Sequence, residues 1–274
     1  MKYGTIIIGG PIHEQVALAR AAEDAGWDGV FTWDGIHVGD EVEVPDPWVL
    51  MAAFAMATGR VRLGAMIMPL ARRRPWKVAR EAVTLDHLSN GRLVMPVGLG
   101  ALDDSGWGRV GEPTDRRIRA ERLDETLDIL TGLWSGKPFG HRGRHYSFEP
   151  MAFTPPPIQR PRIPIWVVGG WPSERSMRRV LRYDGLLPYV LPGSGVEYGP
   201  EVVAQMRAWI GERRSLQAFD IVVEGATPAD DRTAAAEAVR PWREAGATWW
   251  IESDWTADPA SARRRIEAGP PAYP

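Results

Sequence analysis

Along the chain, segments with apolar residues three and four positions apart alternate with short runs that are apolar throughout. After Pro75, residues Val78, Ala82, Leu85 and Leu88 share one helical face, and Asn90-Gly91 ends the pattern. Leu123, Leu127, Leu130 and Trp134 repeat the same spacing. The apolar runs fall at 2–8, 29–33, 61–68, 92–97, 163–169, 185–190, 219–225 and 248–253. They lack strict alternation, so each reads as a strand buried on both faces, as in a parallel sheet. A helix–glycine–strand joint recurs in EDAGWDGVFTW (23–33), ATGRVRLGAMI (57–67), LSNGRLVMPV (88–97), RYDGLLPYV (182–190) and EAGATWWIE (244–252). Glycine there supplies the left-handed conformation that stops a helix. Eight such strands with helices between them predict an α/β fold, a closed (β/α)8 TIM barrel forming a single domain over residues 1–274. Between the fourth and fifth strands, residues 135–163 are rich in Gly, Pro and Arg without a period. They are expected to form a long irregular excursion at the active-site face or its lid.

Composition narrows the partners. The chain is 44% hydrophobic and 25% charged, ordinary for a globular protein, and its net charge of -2 offers no basic field for nucleic acid or an anionic membrane. The absence of cysteine excludes disulfides, thiolate metal sites and a cysteine nucleophile. No apolar stretch approaches a membrane span, and the apolar core of MKYGTIIIGGP is too short for a signal peptide, so a cytoplasmic location is expected. Most of the thirteen tryptophans read as core packing. If Trp209 or Trp242 stands exposed on an outer helix, it marks the face of a homodimer.

The candidate chemistry collects at strand ends. Gly98-Leu99-Gly100 fails as a dinucleotide fingerprint, because Asp103 stands where the third glycine belongs. In a barrel these residues close the fourth strand at the ligand-binding face, where bare backbone admits a flat ligand or makes a tight turn. GGWPSERS (169–176) reads equally as an anion cradle and as a capped helix start. Arg72, Arg73 and Arg74 could meet phosphates or carboxylates, or form an exposed basic turn. His141 and His145 are four apart, but the glycine between them argues against helical presentation, and no metal site is expected. The carboxylates of GDEVEVPD (39–46) read as a solvated rim. Other strand-end candidates are Trp33-Asp34, Met66 to Pro69, Tyr189 and Glu252 to Asp254. The expected partner is a small organic substrate bound at the mouth.

Residues 69–101, PLARRRPWKVAREAVTLDHLSNGRLVMPVGLGA, resemble the central signature of the luciferase-like flavin oxidoreductases, the bacterial luciferase superfamily. PRIPIWVVGGWPSERSMRRVLRYDGLLP (161–188), EAGATWWIE, and the region 30–64 are similar to other blocks of that family. The resemblance implies a (β/α)8 barrel with FMN or coenzyme F420 at its C-terminal mouth, used in monooxygenation or hydride transfer respectively. It implies a non-proline cis peptide at Ala65-Met66 or Met66-Ile67 against the ring, with Gly98, Leu99 and Gly100 bordering the cofactor. Gly169, Gly170 and Trp171 would approach its phosphate. Asp34 and His37 become candidates for proton handling or ring contact. Two departures stand out. Deazaflavin-dependent relatives often read Asp-His where this chain has Asp34-Gly35, and Ala101 replaces the acid that follows Gly-x-Gly in the sugar-phosphate dehydrogenases. They leave open a barrel that binds flavin without turnover.

Overall fold

The computed structural model describes residues 1–271, so the last three residues of the expected domain lie outside it. In chain order the elements are β1 (Lys2–Ile6), α1 (Ile12–Asp24), β2 (Gly29–Thr32), α2 (Pro47–Ala57), β3 (Arg62–Ala65), α3 (Pro75–Leu88) and β4 (Met95–Val97). There follow α4 (Arg116–Leu133), β5 (Phe139–Arg142), β6 (Ser147–Met151), β7 (Ile165–Trp171), α5 (Glu174–Val180) and β8 (Gly185–Val190). The chain continues with α6 (Pro200–Gly211), β9 (Asp220–Gly225), α7 (Arg232–Glu244), β10 (Trp249–Glu252) and α8 (Pro259–Glu267). The parallel strands run in the order β3-β2-β1-β10-β9-β8-β7-β4. Single bridges Leu63–Leu93 and Met68–Val97 join the two ends, which closes the (β/α)8 barrel.

Four of the five helix–glycine–strand joints divide between two physical origins, while Gly59 has neither a positive φ nor a crowded Cβ. Gly26, Gly91 and Gly246 take φ of +94°, +78° and +94°, the left-handed stop read from the sequence. Gly185 has no such backbone; a Cβ there would lie 2.5 Å from Trp166 Cδ1. It is small because an indole fills the space.

The interior is packed rather than hollow. Phe31, Trp166 and Trp249 form its aromatic layer, with Phe31–Trp166 and Trp166–Trp249 centroids 5.9 and 5.3 Å apart. Their bulk fits because facing positions are glycine: a Cβ at Gly4 or Gly29 would approach Phe31 Cε2 to 2.7 Å. A larger apolar layer lies between the barrel and the helices.

The excursion 135–163 is not patternless. β5 and β6 pair antiparallel, with His141 opposite Phe148. Local propensity hid this hairpin, since Gly140 and Pro150 sit inside its strands. Tertiary contacts hold it: Trp76 meets Phe148 edge-on at 6.0 Å, and the Glu125 carboxylate accepts from the backbone N–H groups of Arg144, His145 and Tyr146. Those partners lie on α3 and α4, so the hairpin covers the outer wall and is not a lid. Trp209 and Trp242 are also packed within the chain, under Arg213 and against Tyr198 respectively.

The bottom of the barrel is tied by one side chain. Arg92 is buried, and all its donors reach oxygens: Nε to Ser89 O (2.7 Å), Nη1 to Thr58 Oγ1 (2.9 Å) and Val61 O (3.0 Å), Nη2 to Ala55 O (2.8 Å) and Thr58 O (2.9 Å). It joins the ends of α2 and α3 to the start of β3. Replacing Arg92 by Ala should lower unfolding stability by about 2–4 kcal/mol, read from the urea midpoint at constant m. Lys should not restore it, because an ammonium lacks the planar fork.

Candidate active site

The C-terminal ends of the strands surround a cavity of about 950 Å³. Its floor includes Met66 and Ile67 after β3, Val168 on β7, Leu187 on β8 and Val222 on β9. Between the two seam bridges β3 takes five steps where β4 takes four, so one extra residue bulges from β3. Met66 and Ile67 lie in that bulge, and the peptide between them is cis, one of the two positions the resemblance implied. Gly98 lies beside them. A Cβ there would stand 2.3 Å from Ile67 Cδ1 and 2.9 Å from Val168 Cγ2, so the rim closes only over glycine. Gly100 has φ +76°, and its Cβ would meet Pro69 Cβ at 2.7 Å.

The candidate cofactor residues divide between the cavity and the outer layer. Met66, Ile67, Gly98, Leu99, Gly100 and Gly170 line the cavity. Ala65 is buried in the outer apolar layer and Trp171 packs against it. A Cβ on Gly169 would meet Leu186 and Met177, so this glycine permits close packing of α5 on the sheet. In GGWPSERS the capped helix start is realised: Ser173 Oγ accepts from Ser176 N–H, and the Gly170 N–H is taken by Ser176 Oγ at 2.8 Å.

Asp34 and His37 stand beside the cavity without lining it. The Asp34 side chain is fully buried; Arg73 Nη2 and Nε reach its two oxygens at 2.8 and 3.0 Å, and Arg72 Nη2 reaches Oδ1 at 3.2 Å. Arg72 also pairs with Asp104, whose carboxylate accepts from the N–H groups of Ile36 (3.1 Å), His37 (3.0 Å) and Gly106 (2.9 Å). His37 is bracketed by Ser105 Oγ (2.7 Å) and Asp40 Oδ1 (2.9 Å). This network ties together the loops after β2, β3 and β4. It also answers the arginine triplet: Arg72 and Arg73 meet carboxylates of their own chain, while Arg74 is exposed. Burial alone would raise the Asp104 pKa, but hydrogen bonds from Arg72 and the two backbone amides of His37 and Gly106 outweigh it and hold the carboxyl below the usual range.

The remaining candidates have structural partners. Glu252 is buried and accepts from Thr227 N–H (2.6 Å), Thr227 Oγ1 (2.7 Å) and Trp250 Nε1 (3.1 Å), with Arg265 alongside. His141 and His145 pair with Glu125 and Glu121, and among the described residues no group of three side chains could hold a metal. In the acidic stretch 39–46, Asp46 caps α2 and Glu41 and Glu43 are exposed.

Two features of the cavity escaped the sequence reading. At one end stand Arg116, Arg119 and Arg179. Arg179 pairs with Asp124, but Arg119 donates to the Leu99 and Gly100 carbonyls (both 2.9 Å) and keeps a buried Nε without a partner. These arginines sit on helices whose turn towards the mouth only the tertiary packing fixes. On the other side Glu224 of β9 opens into the cavity beside Tyr189, Tyr198 and Trp255. The strand period offered a signal, since FDIVVEG puts Asp220, Val222 and Glu224 on one face. No residue of 135–163 lines the cavity, so the excursion expected at the active-site face or its lid does not form the rim.

Because the folded Asp104 pKa is depressed, its contribution to stability is complete above the ordinary carboxyl value and is lost as pH falls. Thermal unfolding of the wild type should therefore weaken steeply below about pH 4, and Asp104→Asn should be less stable at neutrality with a shallower acid limb. Asp34→Ala leaves Arg72 and Arg73 partly uncompensated and should cost about 3–5 kcal/mol in the same measurement.

A family model described as luciferase-like monooxygenase matches residues 3–271. A Mycobacterium tuberculosis protein named "Putative coenzyme F420-dependent oxidoreductase" is 29% identical over 252 residues, 85% of this chain and 67% of that protein. The oxygenase component of a flavin-dependent trigonelline monooxygenase from Acinetobacter baylyi is 30% identical over 163 residues, 60% of this chain and 44% of that protein. The chain thus spans about two thirds of the first relative and under half of the second. An F420-dependent secondary alcohol dehydrogenase, solved with an F420–acetone adduct, shares the fold at TM-score 0.79 and 16% identity, covering 97% of each chain.

Proposed function

The chain belongs to the luciferase-like monooxygenase family, and from that premise we propose that it is an oxidoreductase whose mouth cavity takes a flavin-type cofactor, coenzyme F420 ahead of FMN, beside a small organic substrate. The observation that carries this reading is the shape and polarity of one cavity. Its floor is the apolar Met66–Ile67 bulge under a glycine rim, and its end holds arginines with donor capacity to spare. At about 950 Å³ it has room for a tricyclic ring with a second small molecule.

The residues present fit such a cofactor. Met66, Ile67 and Gly98 to Gly100 would lie against the ring, because there bare backbone meets the apolar surface of the bulge. Arg116 and Arg119 would meet the phosphate-bearing tail; the buried, unpartnered Nε of Arg119 is the donor that a tail oxygen would satisfy. When bound, the cofactor supplies hydride exchange if it is a deazaflavin, or oxygen activation if it is reduced FMN. A tail bearing several negative charges suits the arginine end, and a relative matched over 85% of this chain is named for F420. Asp34 and His37 act from outside the cavity: the network with Arg72, Arg73 and Asp104 holds the rim in place and so positions the ring.

Fluorescence titration of the purified protein with F420, and separately with FMN, tests the reading. Saturable F420 binding is expected. Arg116→Ala should weaken it about five- to tenfold, by a factor that shrinks as salt screens the contact. Saturation by FMN alone would exchange the cofactor. Binding of neither would overturn the reading, and binding without turnover of any reduced cofactor would make the protein a carrier.

A further inference from the structure

We propose that Glu224 presents the proton to the substrate, and that the cavity end around it takes an uncharged, largely apolar molecule with one hydrogen-bond acceptor. This rests on the cavity being the site of a flavin-type cofactor.

Position comes first. Along β9, Ile221 and Val223 pack in the outer apolar layer and Val222 in the barrel interior, while Asp220 accepts from the interior Trp166 Nε1 at 3.1 Å. Glu224 is therefore the top inward residue of its strand. In the closed order β9 stands four strands from β3 by either route, so Glu224 faces the Met66–Ile67 bulge across the full width of the mouth. A ring lying on that bulge leaves the substrate between ring and carboxyl.

Availability comes second. Other carboxyls at the mouth already have partners. Asp34 and Asp104 are held by arginines, Glu252 by Thr227 and Trp250, and the exposed Asp103 accepts from the Asp104 N–H at 3.0 Å. Among the described residues no hydrogen bond or ion pair engages Glu224. Its neighbours in the cavity are Tyr189 from β8, Tyr198 from the segment after β8, Trp255 after β10 and Val222 on its own strand. Arg116, Arg119, Arg179 and Asp103 line the same cavity from α4, α5 and the loop after β4. Glu224 is open to solvent at the mouth, yet the protein packed around it strips away enough water to raise its carboxyl, and the same desolvation followed by the Glu224 charge raises the Tyr198 phenol. The direction of that shift is the one an acid catalyst needs, and the place of Glu224 at the open mouth lets it exchange its proton with water.

The apolar and aromatic surroundings disfavour a charged substrate. In a carbonyl reduction the carbon would receive a hydride from the reduced deazaflavin and the oxygen a proton from Glu224. The C=O π bond is replaced by a C–H and an O–H bond, and the carboxylate regains its proton from bulk water through the open mouth. Alcohol oxidation runs the same transfers in reverse.

The test is carboxyl ¹³C NMR of glutamate-labelled protein, combined with binding of acetophenone, an uncharged aryl ketone. One carboxyl should titrate above the ordinary glutamate range and be missing from Glu224→Gln. Acetophenone affinity in the wild type should fall roughly tenfold per pH unit above that transition, because only the protonated form donates. In Glu224→Gln, whose amide also donates, affinity should be flat with pH, and F420 affinity should stay within about twofold of wild type. An ordinary Glu224 titration, no acetophenone binding, or binding indifferent to the transition overturns the proposal. If the wild type binds neither F420 nor FMN while acetophenone binding still follows Glu224, the functional reading fails and the assignment of this subsite stands.

Discussion

The seam between β3 and β4 is the constraint on which the rest depends. Everywhere else neighbouring strands share runs of parallel pairing, but here two isolated bridges close the barrel, with an extra residue of β3 between them. A barrel with so thin a seam needs ties outside the ladder. Arg92 supplies one at the bottom by gathering carbonyls from α2, α3 and the approach to β3. Arg72 and Arg73, clamped on Asp34 and Asp104, supply the other at the top. The break in pairing frees Met66 and Ile67 to face the cavity, and the two arginine clusters keep that freedom from opening the barrel.

The site follows from the same division of labour. Charged residues just outside the mouth are spent on each other, so their charges stay compensated and the loops stay fixed. The surface that a ligand meets is left apolar along the floor, cationic at one end and acidic at one point. Two side chains with unspent hydrogen-bonding capacity, Arg119 and Glu224, stand at different ends of a single cavity. An anion and a proton acceptor can then be held at once, as a two-substrate oxidation requires.

What the sequence disclosed and what it withheld divide along the range of the interactions involved. The strands and their order were legible because apolar runs and helix stops are local, as at Gly26, Gly91 and Gly246. The glycine rim at 98–100 was legible for the same reason. The β5–β6 hairpin was not, since Trp76 and Glu125 hold it from distant helices against the tendency of Gly140 and Pro150. Asp34 was recognisable as a special position, but its partners lie thirty-eight and thirty-nine residues away and turn a free carboxylate into a clamp. Glu224 stood in plain alternation with Asp220 and Val222; the apolar character of its strand concealed that the alternate face is the cavity.

The central claim is that the Met66–Ile67 bulge and Glu224 are the two walls between which a flavin-type ring and its substrate meet. A crystal structure of the protein soaked with F420 tests it most directly. The account predicts the ring against Met66 and Ile67, the tail at Arg116 and Arg119, and open space between the ring and Glu224. Density for the cofactor outside this cavity, or a ring stacked directly on Glu224 with its tail away from the arginines, would contradict it.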